Sequence, residues 1–385
     1  MGQDVAEPTR AYQRVYALLK EQIQQGEFPV GSRLPPERLL AARLGVSRNT
    51  LRQALRLLRE EGLVEPAQGS GVYVRDQGES PPRVKTVAVL LADLLTPLHQ
   101  HFVHTLTMTG QAKGWVTTIG LHRDSDHEAV SALTRLLHLG PDIVVVEPTR
   151  NLTLPLLEHL DSRGTPRIFV IRDHPDLLCD KVVVNNFQVG SVATRLLIQY
   201  GCTAPIFVAP LDYLTAWDRL AGYRHALLDA GLPFRPENVL DASRGPLSPP
   251  DFGAQLVDGL VAAGSRFDGV VAFNDTFARK IIDGLQQRGL RVPDDVAVVG
   301  VDDLPCALEG EVPITTITFD GAGAARQILE LIGQRLTVGD RYPTKGTVGL
   351  CVVPRASCPV ADMAEVAAAA SAGGQLTERK ESSDS

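Results

Sequence analysis

Six unbroken apolar runs do most to limit what this chain can become: TVAVLLA (86–92), DIVVVE (142–147), RIFVI (167–171), PIFVA (205–209), GVVAF (269–273) and VAVVGV (296–301). Each has the length of a strand, and helix-length segments separate them. A strand that is apolar on both faces must be covered on both, which is the pattern of parallel sheets flanked by helices. Parallel neighbours require right-handed crossovers. Residues 86–358 are therefore expected to be α/β, with a length that suits two similar lobes better than one sheet.

The N-terminal stretch Gly31–Arg75 is patterned differently. Residues 9–25 are expected to form a helix with Tyr12, Val15, Leu19 and Ile23 on one side. Two more helical patterns follow, separated by Gly45-Val46, and then two strand-like runs around Gly69, Ser70 and Gly71. Ser47 is placed to cap the later helix, since its hydroxyl can accept an orphan backbone N–H. Leu51, Leu55 and Leu58 give that helix an apolar face, and Arg48, Arg52, Arg56 and Arg59 give it a cationic one. Gly62 stands where a helix stop belongs. An arginine stripe alone is most often a solvated surface. A helix, a tight turn, a second helix and a Gly-tipped hairpin together describe a winged helix-turn-helix, whose second helix enters a major groove.

Within this stretch LPPERLLAARLGVSRNTLRQALRLLREEGLV strongly resembles the GntR-type winged-helix domain. The resemblance implies that Arg38, Ser47, Arg48, Thr50 and Arg52 contact double-stranded operator DNA and that Gly69 to Gly71 form the wing tip near the minor groove. Arg48 and Arg52 lie one turn apart and could fork onto guanine O6/N7 or onto phosphates. Ser47 and Thr50 suit phosphate oxygens at a helix N-terminus. Further along, FDGVVAFNDTFARKIIDGLQQRGLRVPDDVAVVGVDDLP and ITTITFDGAGAARQILELI resemble the effector domain of LacI-type repressors. The implied architecture is an N-terminal winged helix-turn-helix at 9–76, a linker at 77–85 and a two-lobed periplasmic-binding-protein-like domain at 86–358. A disordered tail at 359–385 is expected to follow, from its Ala-rich and then polar composition. IVVVEPTRN, a GntR-type head and the lack of a LacI-type hinge helix together resemble the arabinose-repressor branch.

Composition sets further bounds. No run of 18 or more apolar residues occurs, and the N-terminus has no basic-then-apolar leader, so a cytoplasmic protein is expected. The net charge of −7 by itself argues against a DNA-binding protein, yet residues 1–76 hold one Lys and ten Arg against nine acids. A basic patch on an acidic chain fits operator binding rather than coating of nucleic acid. Cys179, Cys202, Cys306, Cys351 and Cys358 form no CxxC pair and are expected to be reduced. His99, His101 and His104 do not share one helix face and have no nearby carboxylate ligand in sequence, so no metal and no cofactor is expected.

In doubly wound folds the ligand crevice lies at the C-terminal ends of the strands. Asp93, Glu147 and Arg172 follow strands of the first lobe, and Asn274 and Asp302 follow the last two runs of the second. Arg219 opens a helix after PIFVAPLDY. The LacI-type resemblance makes Arg219, Asn274 and Asp302 sugar-contacting positions, and the chemistry fits, because carboxylates accept from hydroxyls while Arg and Asn donate. Asn274 and Asp275 also suit helix capping, and Asp303 a structural role. Trp217 and Phe319 are placed either to stack on a sugar face or to pack in the core. Ile171 stands where many relatives carry Asp and Phe319 where many carry Gln, and the segment LLTPLHQH sets Pro97 and His99 at the mouth. The expected function is a homodimeric, sugar-responsive regulator, with a sensor answering to a protein partner or non-sugar ligand as the alternative. An enzyme is disfavoured because no nucleophile elbow, phosphate loop, metal motif or suitably spaced carboxylate pair occurs.

Overall fold

The structure, a computed structural model, describes residues 8–67, 71–75, 85–150, 160, 165–174, 178–243, 252–262, 266–338, 342–360 and 376–378. The chain divides into two compact units, Met1–Val84 and Lys85–Ser385.

In the first unit α1 (Pro8–Gln24), α2 (Glu37–Arg43) and α3 (Arg48–Glu60) precede a hairpin of β1 (Val64–Ala67) and β2 (Gly71–Val74). The strands pair antiparallel from Val64↔Val74 to Ala67↔Gly71. Val15 and Leu19 of α1, Leu40 of α2, Leu51, Leu55 and Leu58 of α3, and Val64 and Val74 of the hairpin share one buried core. Ser47 caps α3 by accepting the Thr50 N–H at 3.1 Å. Gly45 and Gly62 take left-handed φ values of 66° and 73°, where a side chain would be strained, and so end α2 and α3. Of the expected wing tip, Gly69 and Ser70 lie outside the described residues, and Gly71 begins β2.

The second unit holds two sheets. The first lobe contains β3 (Lys85–Leu91), β4 (Trp115–Leu121), β5 (Ile143–Val146), β6 (Arg167–Ile171), β7 (Asp180–Val183) and β13 (Lys345–Thr347), in the order β13-β7-β6-β5-β3-β4. The second contains β8 (Pro205–Ala209), β9 (Val239–Asp241), β10 (Gly269–Ala272), β11 (Ala297–Val301), β12 (Thr315–Phe319), β14 (Leu350–Val353) and β15 (Leu376–Glu378), in the order β15-β14-β12-β11-β10-β8-β9. Pairing is parallel except between β12 and β14. The chain thus passes between lobes after β7, after β12 and after β13.

The helices are α4 (Pro97–Ala112), α5 (Asp126–His138), α6 (Asn186–Tyr200), α7 (Leu214–Asp229), α8 (Phe252–Ala262), α9 (Asp275–Gln287) and α10 (Gly321–Val338). All six apolar runs are strands; four are buried along their whole length, and the other two are buried apart from Arg167 at the start of β6 and the first two residues of β3. The edge strands β4 and β9 escape an apolar-run reading because solvent on one side lets polar or exposed residues alternate. α6 and α7 approach so closely that a Cβ on Gly190 would run into the Arg219 carbonyl oxygen and one on Gly222 into that of Phe187. This contact sets the start of α7, and with it Arg219, against the cleft.

The tail expected to be disordered needs one correction: Leu376–Glu378 pairs parallel with β14, because the open edge of that strand offers backbone groups to any extended segment. Residues 361–375 and 379–385 lie outside the described residues, as does the expected linker apart from Lys85, which begins β3. Among the described residues no helix is long and apolar enough to cross a membrane.

Candidate functional site

A cleft of about 340 Å³ opens between the lobes at the C-terminal ends of their strands, the size and place expected of a small-molecule site. Asp93, Glu147, Arg172, Arg219, Asn274, Asp302 and Phe319 all line it. So do Thr96, His99, Asp124, Ile171, Asn186, Tyr213 and Phe273.

On the first lobe the polar groups form a closed network. Glu147 is buried, and its Oε2 accepts from the Ala92 N–H at 2.8 Å and meets His99 Nε2 at 2.9 Å. Its Oε1 lies 3.2 Å from Arg172 Nε. Arg172 Nη1 donates to Asp124 Oδ1 at 2.6 Å and to the Pro148 carbonyl at 3.1 Å. The other His99 nitrogen, Nδ1, is 2.7 Å from Thr96 Oγ1 and 3.6 Å from Asp93. Burial alone would push the Glu147 carboxyl up, but the His99 hydrogen bond and the charges of His99 and Arg172 hold it down at about 2. Burial alone would lower His99, but Glu147 and Asp93 outweigh it and raise the imidazole above its ordinary value. The network is therefore an internal ion set, in which Glu147 has both oxygens committed and serves as the counter-ion that orients His99 and Arg172.

On the second lobe Arg219 Nε donates to Asn186 Oδ1 at 3.0 Å and Nη1 to the Phe273 carbonyl. Its guanidinium lies over the Phe273 ring, 4.8 Å from the centroid. Asn274 caps α9 with Oδ1, accepting the Phe277 N–H at 3.1 Å, so its amide nitrogen is what remains for the cleft. Burial pushes the Asp302 carboxyl up, opposed by Arg219. Asp303 pairs with Arg355 at 2.7 Å, the structural role expected of it. From the first lobe Arg150 reaches across, 3.9 Å from Asp212 and 4.7 Å from the centre of the Tyr213 ring.

Three cleft residues, Asp124, Ile171 and Asp302, have φ values of 62°, 69° and 94°. Such conformations cost roughly 1–3 kcal/mol each outside glycine and gather where a side chain must be aimed. At Ile171 the Arg172 N–H donates to the Val170 carbonyl at 2.8 Å, closing a three-residue turn that swings Arg172 toward the cleft.

Two sequence expectations are corrected here. Trp217 does not line the cleft: it is exposed and its indole N–H donates to the Leu211 carbonyl at 2.8 Å, because α7 turns that face outward. Pro97 opens α4 behind the cleft wall, and Thr96, Leu98 and His99 form the mouth in its place. Asp124 and Asn186 were not foreseen. Asp124 follows the alternating strand β4, and Asn186 follows β7, whose sequence DKVV carries two charges. Of the histidines, His99 faces the cleft while His101 and His104 are exposed, and no group of three potential ligands is found among the described residues.

In the head, Arg38, Ser47, Arg48 and Arg52 are exposed and Thr50 is half-buried. One partner was not foreseen: Glu37, at the start of α2, accepts from Arg52 Nε at 2.8 Å and lies 3.9 Å from Arg48 Nη2. Two of the arginines expected to contact DNA thus face one carboxylate, Arg52 through a hydrogen bond that a sequence separation of fifteen residues hides.

The profile of bacterial regulatory proteins of the gntR family matches residues 11–74, and that of the periplasmic binding protein-like domain matches residues 194–358. The chain thus joins a segment similar to the GntR regulatory family to one similar to the periplasmic binding protein-like domain. The chain is 26% identical over 335 residues to the arabinose metabolism transcriptional repressor of Geobacillus stearothermophilus, covering 83% of this chain and 92% of that one. It is 27% identical over 333 residues to the transcriptional regulator CelR of Thermobifida fusca, covering 81% and 95%. Its fold matches a solved CelR–cellobiose complex with a TM-score of 0.60 and 24% identity, over 84% of this chain and all of that one.

Proposed function

We propose that this regulator binds operator DNA as a homodimer and releases it when a small hydroxyl-bearing effector draws the two lobes together. The head supplies the reader: α3 presents Arg48 and Arg52 on its exposed side while Leu51, Leu55 and Leu58 are buried. A single head reads one half-site, and a palindromic operator needs two. The relatives named for arabinose metabolism and the complex named for cellobiose both point to a sugar as the signal. The proposed role is binding without turnover, as for the transcriptional regulators to which the chain is similar.

The observation that carries the reading is the cleft's division between lobes. Asp93, His99 and Arg172 stand on one lobe and Arg219, Asn274 and Asp302 on the other. A ligand that touches both sets gains all its contacts only when the lobes close, so it must favour the closed state. The less polar Ile171 and Phe319 do not empty the site of polar groups, since Asp124 and His99 supply others. The test is an effector titration of wild type against Arg219→Ala. Loss of effector response with DNA binding retained supports the reading, and an unchanged response contradicts it.

A further inference from the structure

We propose that Arg33 is a further DNA-contacting residue, which enters the minor groove beside the bases met by α3 and favours A·T pairs there. The inference rests on the head being the operator reader and adds to it a residue and a second groove.

The segment before α2 builds this contact. Residues 31–34 run along β2 as a short third strand. The Gly31 N–H donates to the Val74 carbonyl at 2.9 Å, the Val74 N–H to the Ser32 carbonyl at 2.9 Å, and the Leu34 N–H to the Val72 carbonyl at 2.8 Å. Arg33 stands opposite Tyr73, but its side chain leans along the strand to Gly71, which pairs with Ala67 at the far end of the described hairpin. A Cβ on Gly71 would lie 2.6 Å from Arg33 Nε and 3.1 Å from Nη2, too close for any side chain. The Gly71 φ of 113° also demands glycine. The guanidinium therefore lies against bare backbone, and the end of the hairpin carries a cation without added width.

Two observations turn this cation toward DNA. The first is its place. Residues 31–34 run from the base of the hairpin, where Val64 and Val74 are buried, toward its far end, and Glu37 follows Leu34 by three residues. Three residues span at most about 11 Å. Glu37 accepts from Arg52 at 2.8 Å, so the far end of the hairpin and the early part of α3 lie at one end of the head. The second is its availability. Arg33 is exposed, and among the described residues no carboxylate or carbonyl receives its guanidinium. Arg52, by contrast, is bonded to Glu37, and Arg75 lies 3.8 Å from Glu65.

With α3 in a major groove, a hairpin beside it passes the phosphate ridge and meets the adjoining minor groove, about 6 Å wide. A guanidinium backed by glycine is thin enough to enter. Its donors suit the adenine N3 and thymine O2 acceptors of A·T pairs, whereas the guanine 2-amino group opposes them. A·T runs also narrow the groove and deepen its negative potential, which attracts arginine.

The test is duplex binding by the full chain, wild type and Arg33→Gln. The duplexes are the sequence selected from a random pool and versions in which the A·T pairs flanking each half-site become G·C or inosine·C. Inosine lacks the guanine 2-amino group, so its pair with C resembles A·T from the minor groove and G·C from the major. Wild type should lose about tenfold on G·C and regain most of it on inosine·C. Arg33→Gln should bind the selected duplex about tenfold more weakly and treat the three duplexes alike. Equal binding by variant and wild type overturns the inference. So does a variant that binds more weakly but keeps the wild-type ranking, which makes Arg33 a phosphate contact. A wild-type loss that inosine does not restore puts the flank readout in the major groove and overturns it as well. No preference of wild type for any selected duplex removes the operator reader itself, and the inference with it.

Discussion

Replacing Glu147 by Gln keeps its shape but leaves Arg172 and His99 without their shared counter-ion in a buried site. Breaking one side of such a set costs about 3–5 kcal/mol. The pH dependence follows from the two shifts. Glu147, held down at about 2, contributes stability that is fully present above its ordinary 4.5 and is lost as pH falls from there toward about 2. His99, raised, contributes stability that is full below 6.5 and is lost as pH rises through its folded value. Denaturation of wild type and Glu147→Gln across pH 3–9 should therefore show the widest gap between about 4.5 and 6.5, closing on both sides. A gap that widens steadily with pH would mean that His99 is neutral and the ion set misassigned. Asp275 gives the opposite sign. Burial raises its carboxyl to about 8, with one oxygen bound to the Leu304 N–H at 2.8 Å and the other without a partner. The folded chain takes up a proton there that the unfolded chain releases above its ordinary 3.8, so stability falls as pH rises from about 4 to 8. Asp275→Asn should raise the melting temperature at pH 8 and do little at pH 4. A fall at pH 8 would show that the ionised carboxylate is needed.

At the scale of single elements, α3 and the α4–β4 face carry separate expectations. Arg52→Ala should cost about 1–3 kcal/mol on a duplex selected from a random pool, and less on random duplex, if Arg52 reads a base. Equal loss on both would make it a phosphate contact. Glu37→Gln tests the carboxylate that holds both arginines: freeing them should tighten random duplex and steepen its salt dependence while blurring the selected sequence. Unchanged selectivity would reduce Glu37 to a surface ion pair. The α4–β4 face is the seat we expect for dimerisation. Between Leu94 and Arg123 the sequence holds a single Lys, Arg, Asp or Glu, Lys113, yet Met108, Val116, Ile119 and Leu121 are exposed. Charge depletion with exposed apolar groups marks the core of a subunit interface, and β4 is a sheet edge. Met108→Glu combined with Ile119→Asp should turn a sedimenting dimer into a monomer, and an unaltered dimer would place the interface elsewhere.

These elements also show where sequence reasoning reaches and where it stops. Strands covered on both faces declare themselves, and the residues after them fall at the cleft by topology alone; hence Asp93, Glu147, Arg172, Asn274 and Asp302 were legible. Asp124 was not, because β4 alternates at an edge. The role of Glu147 was not either: its residue type suggests a ligand acceptor, and only the three-dimensional placement of Ala92, His99 and Arg172 turns it into a counter-ion. Trp217 shows the reverse error, since an aromatic near a cleft in sequence can still face outward from its helix.

In the whole molecule, the proposed switch works only where lobe closure and operator binding exclude one another. Such coupling is typically about 1–3 kcal/mol, or roughly 5- to 150-fold, and by reciprocity the operator must weaken the effector by the same factor. The most direct measurement is the affinity of the full chain for its selected duplex, with and without a saturating uncharged sugar that raises its melting temperature, in wild type and in Arg219→Ala. The sugar should weaken duplex binding at least fivefold in wild type and not at all in the variant. Equal duplex affinity with and without the sugar in wild type would contradict it, leaving a bound sugar that is not the signal.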